Sequence, residues 1–251
     1  TACWNEERLI PFFLRHYEPI ADRIVIFDDG SDDRSRELLA ASPKVELRQM
    51  PKGESHILMH MEEMNRCWKE SRGRANWVII ADIDEHLYHH RDLRAYLNQC
   101  RAEGVTIINP VGVDMVSADF PAPDIVLSET IRCGVRSFLL NKKAIFDPSQ
   151  VDEINYGPGR HAATPVGHLV LPRKREIKLL HYKALGFDYL LDRTQQLRQR
   201  KTAFDLERGW GMHDLRSAED VRRGFDEMLR AAEDISLIGK KKPASLPTTT
   251  V

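Results

Sequence analysis

Apolar positions along the chain alternate between two periods. Ile24-Val25-Ile26-Phe27 and Trp77-Val78-Ile79-Ile80-Ala81 are continuous, Val- and Ile-rich runs. Runs of this kind read as strands of a parallel sheet covered on both faces. Val45-Glu46-Leu47-Arg48-Gln49-Met50 alternates and reads as a third strand. Between them the spacing turns helical. Leu9, Ile10, Phe12, Phe13 and Leu14 give an apolar face to a helix over 8–17, with Pro11 near its start. A second helix is expected over 34–41. A long third spans 55–71, where Ile57, Leu58, Met61, Met64, Cys67 and Trp68 form a core-facing stripe. The order β-α-β-α-β-α-β, with long connections, predicts an α/β fold with parallel crossovers.

The second half reads as a helix over 93–102, a strand over 105–110, and loop over 111–123. A short strand follows at 142–146 and a turn-rich loop at 147–167. A strong strand spans 176–183, a helix 187–204 and a helix 221–232 capped by Ser217. These patterns divide the chain into an α/β domain over 1–205, a helical extension over 206–239 and a Lys-, Pro- and Thr-rich flexible tail over 240–251.

Chemistry gathers at the strand ends, where open α/β sheets bind ligands. The run at 77–81 leads into Asp82-Ile83-Asp84-Glu85, three carboxylates in four residues. Carboxylate oxygens suit Mg²⁺ or Mn²⁺ shared with substrate phosphates. The strand at 23–27 ends in Asp28-Asp29-Gly30-Ser31-Asp32-Asp33. Gly30 suits a tight turn, and Ser31 and Asp32 suit a helix cap. Asn5, considered alone, reads as a helix cap. His86-Leu87-Tyr88-His89-His90 reads as a polar turn. The charges of 187–204 read as a solvated face, one or two of them free to hold phosphate or acceptor.

Cys3-Trp4-Asn5-Glu6-Glu7, Val25-Ile26-Phe27-Asp28-Asp29-Gly30-Ser31-Asp32-Asp33 and Asp82-Ile83-Asp84-Glu85, in that order over about the first 90 residues, resemble family 2 glycosyltransferases of GT-A fold, in the branch with a D-I-D-E metal motif. The resemblance implies a nucleotide-diphosphate sugar donor, with Asn5, Glu6, Asp28, Asp29 and Asn65 on the nucleotide side. It implies Asp82 facing ribose and metal, Asp84 ligating Mn²⁺ or Mg²⁺, His181 as a further metal ligand, and Lys183 on the diphosphate. An inverting transfer to a hydroxyl acceptor needs a base. The family's usual base motif is absent, which leaves Glu153 and Asp152, then Asp114, as candidates. The acceptor would be a glycan, a lipid-linked group or a small molecule, in bacterial polysaccharide or glycan assembly. A nucleotidyltransferase and a non-catalytic nucleotide- or glycan-binding module are the alternatives. No Gly-rich basic loop follows the first strand, which counts against the former.

Composition narrows the classes further. The 251 residues are 42% hydrophobic and 30% charged, enough for a core. A formal net charge of -1 excludes nucleic-acid binding by bulk charge. No apolar run of membrane-spanning length is present, leaving peripheral membrane association as the only membrane contact expected. Cys3, Cys67, Cys100 and Cys133 form no Cys-x-x-Cys pair, and are expected as reduced, buried thiols in a cytoplasmic enzyme. Thr1-Ala2-Cys3 reads as the tail of a strand, as in a fragment of a longer protein.

Overall fold

A computed structural model describes residues 1–238. The expected tail at 240–251 lies outside them. In chain order the elements begin β1 (Ala2–Cys3), α1 (Ile10–Tyr17), β2 (Ile24–Asp28), α2 (Ser35–Ala40), β3 (Val45–Gln49) and α3 (His56–Arg66). There follow β4 (Val78–Ile79), β5 (Glu85–Tyr88), α4 (Leu93–Ala102), β6 (Ile107–Ile108), β7 (Val111–Ser117), α5 (Leu127–Thr130), β8 (Cys133–Arg136) and β9 (Ile145–Phe146). The last are β10 (Val151–Glu153), β11 (Val166–Gly167), β12 (Lys178–Leu185), α6 (Phe187–Gln199), α7 (Ala203–Glu207), α8 (Ala218–Ala231) and β13 (Glu233–Asp234). The fold is mixed α/β, compatible with a glycosyltransferase fold.

The front half keeps the expected alternation. β1, β2 and β3 pair in parallel, with α1 and α2 as their crossovers. α1 buries Ile10, Phe12, Phe13 and Tyr17 and carries its proline in the first turn, where a missing N–H costs nothing. The run at 77–81 departs from expectation. It is not a parallel strand. Only Val78 and Ile79 are extended, and they pair antiparallel with Phe146 and Ile145 of β9. β1 meets only the far end of β2, at Phe27 and Asp28, and makes no pairing with β4. A cavity of about 410 Å³, lined by Ile24, Val25, Trp77, Val78 and Ile79 among others, separates β2 from β4.

The largest sheet runs β13-β8-β7-β12-β5 and belongs to the second half. β12 lies between β5 and β7, antiparallel to the former and parallel to the latter. Leu179, Leu180, Tyr182 and Leu185 are fully buried along it. At roughly 2 kcal/mol for each such side chain, this strand anchors the core. Residues 111–117, expected as loop, are the strand β7. Val111, Val113 and Met115 alternate into the core while Asp114 stays half-buried. Residues 85–88, expected within a polar turn, are β5. His86 is 2% exposed and stacks on His16 with ring centroids 4.5 Å apart. Burial depresses its pKa well below the usual range, so the pair packs as neutral rings. The loop over 147–167 contains the hairpin β10–β11 and a 3-10 turn at Pro158–Arg160.

Other expectations shift by smaller amounts. The helix over 55–71 is α-helical only to Arg66, with Ser55 capping it, and continues as a 3-10 turn. Of its apolar stripe Met64 and Trp68 are buried, and the rest is half-covered. The helix over 187–204 ends at Gln199. α8 starts on its Ser217 cap as expected and packs Val221 and Phe225 against Val116 and Ala184. All four cysteines are free thiols; Cys3 and Cys100 are buried, Cys133 exposed. No helix among the described residues is long and apolar enough to cross a membrane.

Candidate active site

The polypeptide turns sharply where the run at 77–81 hands over to β5. The N–H of Glu85 donates to the Asp82 carbonyl at 3.0 Å, and the Asp82 N–H returns to the Glu85 carboxylate at 3.0 Å. Ile83 points into the core while Asp82 and Asp84 face out, half-buried. Glu85 is fully buried. A carboxylate there must be paired. Lys142 contacts it directly, and the Arg160 Nη2 donates to it at 2.7 Å. Arg160 Nη2 also reaches Asp82 at 2.6 Å, Lys142 lies 3.5 Å from Asp82, and Arg160 Nη1 donates to the Ile80 carbonyl at 2.8 Å. Arg160 is 1% exposed and sits in the left-handed region, φ 58°. Strain of that kind persists only where surroundings enforce it. Burial works against the charges of Asp82 and Glu85, but Arg160 and then Lys142 outweigh it and hold both carboxyls below their ordinary range. Two acids and two bases therefore close on one another.

A second cluster begins two residues on. Register places His181 of β12 between Glu85 on β5 and Asp114 on β7. The Tyr182 N–H donates to the Asp84 carbonyl at 2.7 Å, which fixes the turn against the strand. His181 Nε2 lies 3.1 Å from the Asp84 carboxylate and Nδ1 lies 2.7 Å from Asp114. Burial opposes a charge on this imidazole, but Asp84 and then Asp114 reverse that and raise its pKa to about 10. Two acids here share one base, so the cluster keeps net negative charge and stays partly open to solvent.

One pair in this arrangement could hold a divalent cation. The Asp84 carboxylate and His181 Nε2 converge, and Asp114 already orients the other ring nitrogen, as carboxylates do behind metal-bound histidines. Asp82 does not join that pair, because Arg160 and Lys142 occupy its carboxylate. No group of three His, Cys, Asp or Glu side chains among the described residues is set to hold a metal. The protein side of such a site is thus Asp84 and His181, and further oxygens would come from substrate.

The N-terminal strand ends form the neighbouring wall. Asn5 does not cap α1, whose N-cap is Leu9. Its amide clasps the β2 turn instead, donating to Asp32 at 2.6 Å and accepting from the Asp32 N–H at 2.9 Å. Asp28 is 1% exposed and accepts from the N–H groups of Gly30 and Ser31, with Gly30 at φ 77°. Ser31 and Asp32 therefore serve Asn5, and Asp33 accepts from the N–H of Ser35 at the start of α2. Asp29 pairs with Arg200, whose guanidinium lies 4.1 Å over the Trp4 ring. Glu6 pairs with Arg193, which also donates to the carbonyls of Trp4 and Asn5. Burial lifts the Glu6 carboxyl to about 8 against the pull of Arg193. Arg193 of α6 and Arg200 at its C-cap are thus not part of a solvated face: they tie that helix to the strand-end loops, while Arg198 stays exposed. Beside them a cavity of about 300 Å³ is lined by Asp29, Lys52, His56, Met59 and Arg200 among others.

The remaining candidates are separate. Asn65 spends its amide on the Tyr156 backbone, accepting at 2.7 Å and donating at 3.0 Å, so it staples α3 to the segment carrying Arg160. Glu153 pairs with Lys69 at 2.6 Å, and the Asp152 carbonyl accepts from Arg72; neither is in contact with Asp84 or His181. Asp114 is held on His181. Lys183 faces Asp214 at 3.6 Å. From sequence Lys142, Arg160 and Lys201 stand out only as members of the short strand 142–146, the turn-rich loop 147–167 and the charged helix 187–204, and Asp214 does not stand out. The turn-rich loop over 147–167 is the signal that leads to Arg160, and the charges of 187–204 are the signal that leads to Lys201.

The family model described as Glycosyltransferase family 92 matches residues 10–214. No curated protein matches the chain. The motif resemblance named family 2; the match is to family 92.

Proposed function

The chain belongs to glycosyltransferase family 92 and is a glycosyltransferase, and from that premise we propose that it moves a sugar from a nucleotide-diphosphate donor to a hydroxyl acceptor with Mn²⁺ or Mg²⁺, on a GT-A fold. The single observation that carries the reading is the Asp84–His181–Asp114 arrangement, built from the turn before β5 and the middles of β12 and β7. Family 2 enters only as a likeness of strand-end residues.

Asp84 and His181 would hold the cation, and Asp114 would position the imidazole. A bound divalent cation supplies neutralisation of charge growing on the diphosphate leaving group. The protein does the rest. Asp82, Glu85, Arg160 and Lys142 keep the turn rigid so that Asp84 is presented at a fixed angle. Asn5, Glu6, Asp28 and Asp29 shape the wall on which the nucleoside would lie, next to the 300 Å³ cavity. Inversion is the stereochemical course we favour, by analogy alone. Asp114, spent on His181, is a weaker base candidate than Glu153; unchanged transfer by a Glu153→Gln variant with intact donor binding removes that residue too.

The test is a thermal-shift screen of nucleoside diphosphates and their sugars with and without Mn²⁺. A metal-dependent rise in melting temperature with one nucleotide is expected, and no shift with any of them defeats the reading. Product analysis separates the rival: released nucleoside diphosphate fits sugar transfer, released diphosphate fits a nucleotidyltransferase.

A further inference from the structure

The cavity between β2 and β4 is bounded by two strand edges. On the β2 side, the Phe27 N–H donates to the Thr1 carbonyl at 2.9 Å and the Asp29 N–H to the Cys3 carbonyl at 2.8 Å, while the Thr1 nitrogen donates to the Val25 carbonyl at 2.9 Å. Val25, Phe27 and Asp29 thus turn their backbone groups toward β1. Ile24 turns the other way and donates to the Lys44 carbonyl beside β3 at 2.8 Å. By this alternation the Val25 N–H points past Thr1 into the cavity of about 410 Å³. On the β4 side, the Ile80 N–H donates to the Ala144 carbonyl at 2.8 Å, toward β9. Ile79 therefore turns its backbone groups toward the same cavity.

Helices cover the gap on both faces. Phe13 and Tyr17 of α1 share a core with Ile24, Ile26 and Ala81. Met64 of α3 and Trp68 just beyond it share another with Phe27 and Ile80. Both pairs of side chains line the cavity. Val25, Trp77, Val78 and Ile79 remain only half-buried, although they belong to apolar runs that lead into these cores. Arg23, Glu70 and Arg94, all exposed, line the cavity where it meets solvent. A small apolar ligand would fill the volume and leave the backbone of both edges without a partner. Buried backbone groups are nearly always paired. An extended strand answers both edges at once.

We propose that the cavity is a strand slot: it takes a short extended segment of apolar residues that runs parallel to β2, leads into β1 and joins the β1–β3 sheet to β4. With Ala2 opposite Phe27, the register of β1 sets such a segment opposite Val25 and Ile24. Covered on both faces, it would be Val- and Ile-rich throughout and not alternating. The slot does not depend on the donor reading. Its consequence for the site is mechanical. β2 ends at Asp28, and the run through β4 leads to Asp82, so a strand between them fixes the spacing of the two walls.

The test adds Lys-Lys-Val-Ile-Val-Ile ahead of Thr1 in the full chain, with Lys-Lys-Gly-Ser-Gly-Ser as the control; the lysines keep both soluble. The apolar extension should raise the melting temperature by about 5 °C or more. It should also slow hydrogen exchange at the Val25 amide by about tenfold or more. The control should do neither. Both extensions take the ammonium away from the Val25 carbonyl, so an equal rise from both overturns the slot. Absence of a rise and of Val25 protection with the apolar extension overturns it as well. Decanoate stabilising the chain without an extension as much as the apolar extension does would make the cavity a ligand pocket, and overturn the strand. Concentration-dependent dimers of that same chain that protect Val25 would give the slot to a second copy, and overturn its continuity with β1.

Discussion

Two ionic clusters meet at the Asp82–Glu85 turn and obey opposite rules. In one, Asp82 and Glu85 face Arg160 and Lys142, and charges cancel where Glu85, Arg160 and Lys142 are buried and only Asp82 meets water. In the other, Asp84 and Asp114 share His181, charges do not cancel, and solvent reaches all three. A buried network that balances has nothing left to offer a ligand; it gives rigidity. An unbalanced, half-open one has an unmet electrostatic demand. Adjacent acids in one motif thus do different work, and burial together with partner count separates them.

The comparison can be broken most directly by removing Arg160. An Arg160→Met variant leaves Glu85 and Asp82 short of a partner, and should lose about 3–5 kcal/mol of stability in urea denaturation. A loss below about 1 kcal/mol would mean the balanced cluster is not a framework. The histidines sharpen the contrast through pH. His16 is buried beside the same sheet and depressed to about 4 by burial. Its unfolded-state value is near 6.5, so between those limits the unfolded chain binds more protons, and stability falls on acidification by about 3 kcal/mol. His181, raised to about 10, has the reverse sign. Its contribution is complete below pH 6.5 and fades as pH climbs through 10. Denaturation across that range, with His16→Gln and His181→Gln as controls, should show the acid limb shrink in the first, with the remainder left to His86 and the other buried imidazoles, and the alkaline limb shrink in the second.

Asp84→Asn should lower the transfer rate about a hundredfold while costing only about 1 kcal/mol of stability, since Asp114 still holds the imidazole. Equal loss of both would merge the two clusters into one. Ser217→Ala, at the N-cap of α8, sets the floor: about 1 kcal/mol less stable, with unchanged transfer.

Much of the front half was legible because its apolar runs and helical stripes carry unmixed periods. The strand end at Asp28 followed from those periods directly, whereas the run before Asp84 is extended only at Val78 and Ile79 and pairs antiparallel with β9. β7 was hidden although Val111, Val113 and Met115 alternate, because Pro110, Gly112, Pro121 and Pro123 punctuate the stretch like a loop. Gly112 is there for another reason: a side chain on it would run into Leu140 and the Ser137 carbonyl, so the segment leading to Lys142 can lie on the sheet. β5 was hidden by its histidines, which look polar until His16 is found stacked on His86. Arg160 and Lys142 were hardest, because a charged residue is expected in water unless its partners are known. Those partners lie 75 and 57 positions away along the chain.

The insertion of β12 between β5 and β7 has a consequence for how the molecule comes into being. β5 and β7 are made first, yet they touch only through a strand that emerges about 60 residues after β7 ends. Until Lys178–Leu185 inserts, both neighbours present open edges and Asp84 and Asp114 have no histidine between them. Closure over such separations is slow, and unpaired edges invite pairing with other chains. A nascent chain is therefore most exposed to misassembly just before it becomes competent. The insertion that ends that hazard is the same event that creates the site.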